Sequence, residues 1–263
     1  MNLDKLTVNV RPLTTYQAMD LGLAVARTWY GQLWRLWWRS QVWLLALMIG
    51  AGMALHFWFT KNYWEFAGYL LPLWWCKPLF ERPLLVYLSQ RLFDDDYQLD
   101  SVSATASDLP SLRFMLIKRF GFRRMFVMPI HLLEGQTKAN AIARLSVLTR
   151  RQGNAIVWHG MVFFVAEVVL YLVAVWVLMW LLRLDDSTDL VYQSVPIQLA
   201  WGMANLGLYA LVVSVLAPFF VASGFMMYLC KRSLLEGWDI ELTFRKLAYR
   251  CQQHSAPQQG EQS

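Results

Sequence analysis

At 263 residues the chain is 57% hydrophobic and only 16% charged, with 14 tryptophans and a formal net charge of +6. A water-soluble domain carries about 25% charged residues, so the composition argues against an ordinary soluble globule and for a chain in contact with lipid. Nucleic acid is not an expected partner, because the Lys and Arg residues flank apolar runs, where anionic headgroups and the positive-inside rule account for them.

Residues 1–40 form a polar, then amphipathic, N-terminal segment. The spacing predicts a helix over 15–40, with Arg27, Arg35 and Arg39 on one stripe and Ala26, Trp29, Tyr30, Leu33 and Trp37 on a second. Such a helix lies in the headgroup plane, aromatic side down and arginines toward phosphates. A helix packed on the rest of the protein is the alternative.

Residues 41–93 supply two transmembrane runs. The first covers 41–60, with Ala46, Gly50 and Ala54 four apart, a face that suits close helix approach. The second, 65–92, is interrupted by Lys77-Pro78 and by Glu81-Arg82-Pro83. It is either one proline-kinked helix or a re-entrant segment, and the kinked helix is the reading adopted.

Residues 94–155 form a basic segment. Asp94-Asp95-Asp96 reads as a solvated loop rather than a metal site. A basic, greasy surface helix is expected over 109–127, carrying Arg113, Lys118, Arg119, Arg123 and Arg124 as lipid or partner contacts. A further helix is expected over 137–151. Residues 156–230 hold the third and fourth runs, 156–182 and 197–230. In the fourth, Ala210, Ser214, Pro218 and Ala222 share a close-packing face. Residues 231–263 read as an amphipathic helix over 234–251, with Trp238 as a further contact residue, and a Gln- and Ser-rich tail. The fold class expected is therefore all-α: an integral membrane bundle of four transmembrane helices with amphipathic surface helices.

Ionisable groups inside a membrane span are costly and are candidate functional residues. Lys77, Glu81, Arg82 and Glu167 are the candidates. At 1.5 Å per residue, Lys77 lies roughly 18 Å from the outer end of its run and Glu167 roughly 16 Å from the inner end of its own. In a hydrocarbon core about 30 Å thick both approach the midplane. Lys77 therefore pairs with Glu167, or with Glu81 one turn along its own helix. Cys76, Cys230, Cys251 and the four histidines show no metal-ligand spacing. No nucleophile elbow or phosphate loop is present, so neither a cofactor nor a metal nor an enzymatic activity is expected.

Leu132-Leu133-Glu134-Gly135 recurs as Leu234-Leu235-Glu236-Gly237. Duplication of a unit of two spans and a surface helix would explain the echo, and so would chance in a leucine-rich chain.

Three stretches resemble an uncharacterised family of bacterial multi-span inner-membrane proteins, often encoded beside MoxR-type AAA+ ATPases and RDD-type membrane proteins. They are Lys77-Pro78-Leu79-Phe80-Glu81-Arg82 with Leu88-Ser89 and Leu92-Phe93; Pro129-Ile130 with Leu133-Glu134-Gly135; and Pro218 through Gly224-Phe225, Tyr228-Leu229 and Leu235 to Leu242. Where the similar proteins carry Gly-Glu, this chain has Asp94-Asp95. The resemblance implies a bacterial envelope setting and an ATPase-linked complex, with no catalytic role. It agrees with a non-enzymatic subunit or scaffold that docks other membrane proteins through basic helices. An oligomeric transporter or channel using Lys77, Glu81 and Glu167 is the alternative.

Lys and Arg number five in 1–40, nine in 94–155 and five in 231–263, against Lys61 and Arg183 alone in the two opposite linkers. Positive-inside then places both termini and the 94–155 segment in the cytoplasm. Reporter fusions after residues 62 and 188 are expected to read periplasmic, and fusions after 100 and 255 cytoplasmic. A cytoplasmic signal at 188 would overturn this topology.

Overall fold

The computed structural model describes residues 13–58, 65–92, 124–135, 138–150, 153–182 and 195–237. Among the described residues every regular element is an α-helix: α1 Thr15–Thr28, α2 Tyr30–Trp58, α3 Glu65–Arg91, α4 Arg124–Leu132, α5 Lys138–Thr149, α6 Gly153–Leu181 and α7 Val195–Glu236. The all-α expectation holds. Of the four expected spans, two helices among the described residues, Gly153–Leu181 and Ala200–Glu236, are long and apolar enough to cross a membrane.

Thr14 starts α1 with a reciprocal cap. Gln17 N–H donates to the Thr14 hydroxyl, and Thr14 N–H donates to Gln17 Oε1 at 3.0 Å. The helix ends at Trp29 and not at the expected boundary near residue 40. The Thr28 hydroxyl bonds the Ala24 carbonyl at 3.0 Å, a back-bond that loosens a helix at that turn. From Tyr30 to Trp58 nothing interrupts α2, which carries no proline. The expected surface helix and first span are thus divided eleven residues early.

The apolar stripe of this region also faces a different partner from the one expected. Ala18, Val25, Ala26, Leu33, Leu36 and Trp37 are buried in the protein core, and α1 packs along α7. Gly22 explains the fit. A Cβ there would sit on Ser223 Cα and 2.7 Å from the Ala222 carbonyl oxygen. Arg27, Arg35 and Arg39 lie on the exposed face.

α3 is a single helix of 27 residues that runs through Pro72, Pro78 and Pro83, as the one-helix reading expects. Its last turns, Leu84 to Leu88, are fully enclosed. α7 is the axis of the fold and touches each of the other six described helices. Ala210, Ser214, Pro218 and Ala222 are all buried along it, as their shared face predicts. α7 continues past Cys230 to Glu236, so the expected break before a separate surface helix is absent at 231–236. It ends at Gly237, whose φ of 67° is left-handed, the usual glycine stop of a helix. Residues 238–251 of that expected helix, and residues 109–123 of the earlier one, lie outside the described residues.

α6 and α7 are both apolar but differ in surroundings: Val162, Val165, Leu172 and Trp176 of α6 are exposed, whereas Val221, Phe225, Tyr228 and Leu229 of α7 are buried. α6 is therefore a peripheral helix whose greasy surface looks outward.

The glycine contact at the α1–α7 crossing generates a test. Gly22→Ala is expected to destabilise the fold by about 1–3 kcal/mol, because the methyl group meets backbone rather than a movable side chain. Gly31, with open space around its Cα, is the control: Gly31→Ala is expected to gain about 0.5–1 kcal/mol from helix propensity. Thermal melts in mild detergent compare the two.

Candidate functional site

The candidate residues Lys77, Glu81, Arg82 and Glu167 are all buried, with Glu81 fully enclosed. Lys77 and Glu81 stand one turn apart on α3, and Glu167 projects from α6. Lys77 Nζ donates to Glu167 Oε2, and it lies 3.9 Å from Glu81 Oε1. The partner of Lys77 is therefore Glu167, with Glu81 as a looser second anion.

Two further helices complete the cluster. Tyr209 on α7 donates its hydroxyl proton to Glu167 Oε1 at 2.5 Å. Arg124, at the start of α4, donates from Nη2 to Glu81 Oε1 at 2.7 Å. The Phe220 ring lies 5.6 Å from Lys77 Nζ and 5.4 Å from the Arg124 guanidinium carbon, so one aromatic ring serves both cations. Two carboxylates and two cations thus alternate along a buried chain, Arg124–Glu81–Lys77–Glu167, drawn from α3, α4 and α6, with Tyr209 of α7 at its end.

Arg124 corrects the sequence reading, which placed it on the surface as a lipid or partner contact. It turns inward because Glu167 takes up Lys77 and leaves the fully buried Glu81 in need of another cation. Arg27, Arg35 and Arg39 remain on the exposed face of α1 and α2, and the structure does not bring them to the cluster. Arg113, Lys118, Arg119, Arg123 and Trp238 lie outside the described residues.

His159 on α6 packs beside this cluster and is buried. Its Nε2 is 2.7 Å from Ser223 Oγ, and its ring stacks on Phe220 at 5.3 Å. The Ser223 hydroxyl donates to the Phe219 carbonyl at 2.6 Å, so its oxygen accepts from His159 Nε2–H. Ser223 and Gly224 serve packing: α1 crosses at Ser223, and Met125 fills the space a Gly224 side chain would take.

A second charged cluster joins the two copies of Leu-Leu-Glu-Gly. Each copy ends a helix at a left-handed glycine, Gly135 with φ 62° and Gly237 with φ 67°. Both glutamates bind one guanidinium. Arg144 on α5 donates from Nε to Glu134 Oε2 at 3.0 Å and from Nη2 to Glu236 Oε1 at 2.5 Å. Arg232 donates to Glu236 Oε2 at 2.9 Å and lies 3.9 Å from Glu134 Oε1. The Tyr228 hydroxyl donates to Glu134 Oε1 at 2.6 Å. The hydrogen bond from Arg144 to Glu134, with help from Glu236, holds the Arg144 pKa above its ordinary value in spite of desolvation. The repeated motif pointed to Glu134 and Glu236, but nothing in the sequence indicated that they meet.

Among the described residues no group of three or more His, Cys, Asp or Glu is arranged to hold a metal. No family model matches the chain, and no curated protein or solved structure matches it either.

Breaking a buried ion pair leaves an uncompensated charge and costs about 3–5 kcal/mol, whereas replacing both partners by apolar groups is often tolerated. Glu167→Gln alone is expected to lower stability by about that amount, and adding Lys77→Met to restore most of it. Melts of both single variants and the double variant give the coupling. Strictly additive losses would show that the two side chains do not depend on one another.

Proposed function

We propose that this chain is a non-enzymatic, membrane-embedded subunit of a bacterial envelope complex, docking partner proteins through its basic 94–155 segment and its C-terminal segment. The observation that carries the membrane part is the surface of α6. Val162, Val165, Val169, Leu172, Val173 and Val177 are exposed along it. Trp158 and Trp180, 60% and 65% exposed, bracket them. The two tryptophans are about 33 Å apart along the axis at 1.5 Å per residue, close to the ~30 Å hydrocarbon thickness that aromatic belts mark. Glu167 lies nine residues from Trp158, about 13 Å along the axis, which suits a pair near the midplane.

The Lys and Arg distribution supports four spans with both termini cytoplasmic in the inner membrane. The family resemblance adds an AAA+ ATPase system as a candidate partner. For Lys77, Glu81 and Glu167 the packing reading is favoured over a transport path. Their charged atoms bond to one another, to Arg124 and to Tyr209. In this reading the cluster locks the helices, and the exposed arginines Arg27, Arg35 and Arg39 meet anionic headgroups or partners.

The test is affinity purification of the full chain from alkali-washed membranes in mild detergent. The expected outcome is retention in the washed membranes and stoichiometric recovery of membrane or ATPase partners. A lone, monodisperse monomer under several gentle conditions would overturn the docking role.

A further inference from the structure

α4 is attached to the fold in an unusual way. Its first residues meet successive turns of α7, Arg124 at Phe220, Met125 at Gly224 and Phe126 at Tyr228, and Glu134 beyond its end meets Tyr228 and Arg232. α4 is thus seated on α7 between Phe220 and Arg232, with its N-terminus at the buried cluster. Its seat is shaped for it. Gly224 has no side chain, and Met125 Cβ lies 2.6 Å from where one would begin. Met125, Phe126, Met128 and Ile130 are all buried there.

Charged contacts hold both ends of this helix, and they differ in kind. At the inner end Arg124 meets Glu81, with side chains 13% and 0% exposed. At the outer end Glu134 joins a ring with Arg144, Glu236 and Arg232, in which the last three side chains are 20–29% exposed. Salt screens pairs at the water boundary far more than buried ones. The outer ring is therefore the weaker fastening, although it has more members. It also ties α5 to the end of α7, so its loss loosens the ring-side ends of both short helices together.

We propose that α4 is a strap with two unequal latches, and that the Glu134–Arg144–Glu236–Arg232 ring is its release point, opened by competing charge and uncovering the Gly224–Tyr228 groove of α7. This inference rests on the docking reading above only for what opens the strap in the cell. The latch itself is tested without a partner.

Hydrogen–deuterium exchange on the full chain in nanodiscs reads it directly. Between about 0.01 M and about 1 M salt the screening length falls from about 30 to about 3 Å. Exchange in 124–135 and 138–149 is expected to rise about tenfold over that range, as exposed pairs weaken, while the interior of α6 and α7 is unchanged. Arg144→Gln is expected to show the fast exchange already at low salt and to lose the salt response. Arg124→Gln should speed exchange at the start of α4 and keep the response. Wild-type exchange independent of salt, or rising equally throughout α7, overturns the proposal, and this series needs no variant to fold. Partner recovery at the same two salt concentrations reports separately on the docking role, so the failure of one is not mistaken for the failure of the other.

Discussion

Charge buried away from water must be paired, and that constraint positions four of the helices. An ion moved out of water without a partner costs several kcal/mol even after the protein relaxes. Here Lys77, Glu81, Arg124 and Glu167 come from three helices, with Tyr209 and Phe220 contributed by a fourth. Each pairing fixes a height. α6 must present Glu167 where Lys77 can reach it, and α4 must present Arg124 one turn further along α3. Apolar contacts alone tolerate sliding by a turn; these four charges do not. Register is what the cluster contributes, whatever its net effect on stability.

The Lys77–Glu167 pair was legible because helix rise and bilayer thickness convert sequence position into depth. The continuity of α3 through its prolines was legible because the apolar run resumes after Pro83 on the far side of the break. Arg124 was not legible. Its neighbours Arg119 and Arg123 make it look like one more surface cation, and its inward turn depends on how two carboxylates share one lysine. The α1 stripe was ambiguous on physical grounds, because lipid and protein interior are equally apolar and periodicity cannot say which will cover a face. The usable signal was size. Ala18, Gly22 and Ala26 repeat at intervals of four, which suits a helix closely packed on another helix better than one resting on a membrane.

The same distinction separates α6 from α7. Composition marks both as greasy, yet one is outside and the other is the axis. α7 carries Ala210, Ser214, Ala217, Ala222, Ser223 and Gly224, small residues that let neighbouring backbones approach. α6 carries valines, leucines and tryptophans over the corresponding stretch. Residue volume, more than hydropathy, told the two apart.

The length of α7 has a mechanical consequence. Its 42 residues extend about 63 Å at 1.5 Å per residue, roughly twice the thickness of a hydrocarbon core. Pro218 lies inside it, where the missing backbone donor makes bending cheapest. From there to Glu236 the helix is a lever about 27 Å long. A bend of about 10° at its fulcrum would carry the tip sideways by about 5 Å, one full turn of a neighbouring helix. Because residues 221–230 of that arm are buried against neighbouring helices, such a bend would carry α1 and α4 along with the tip.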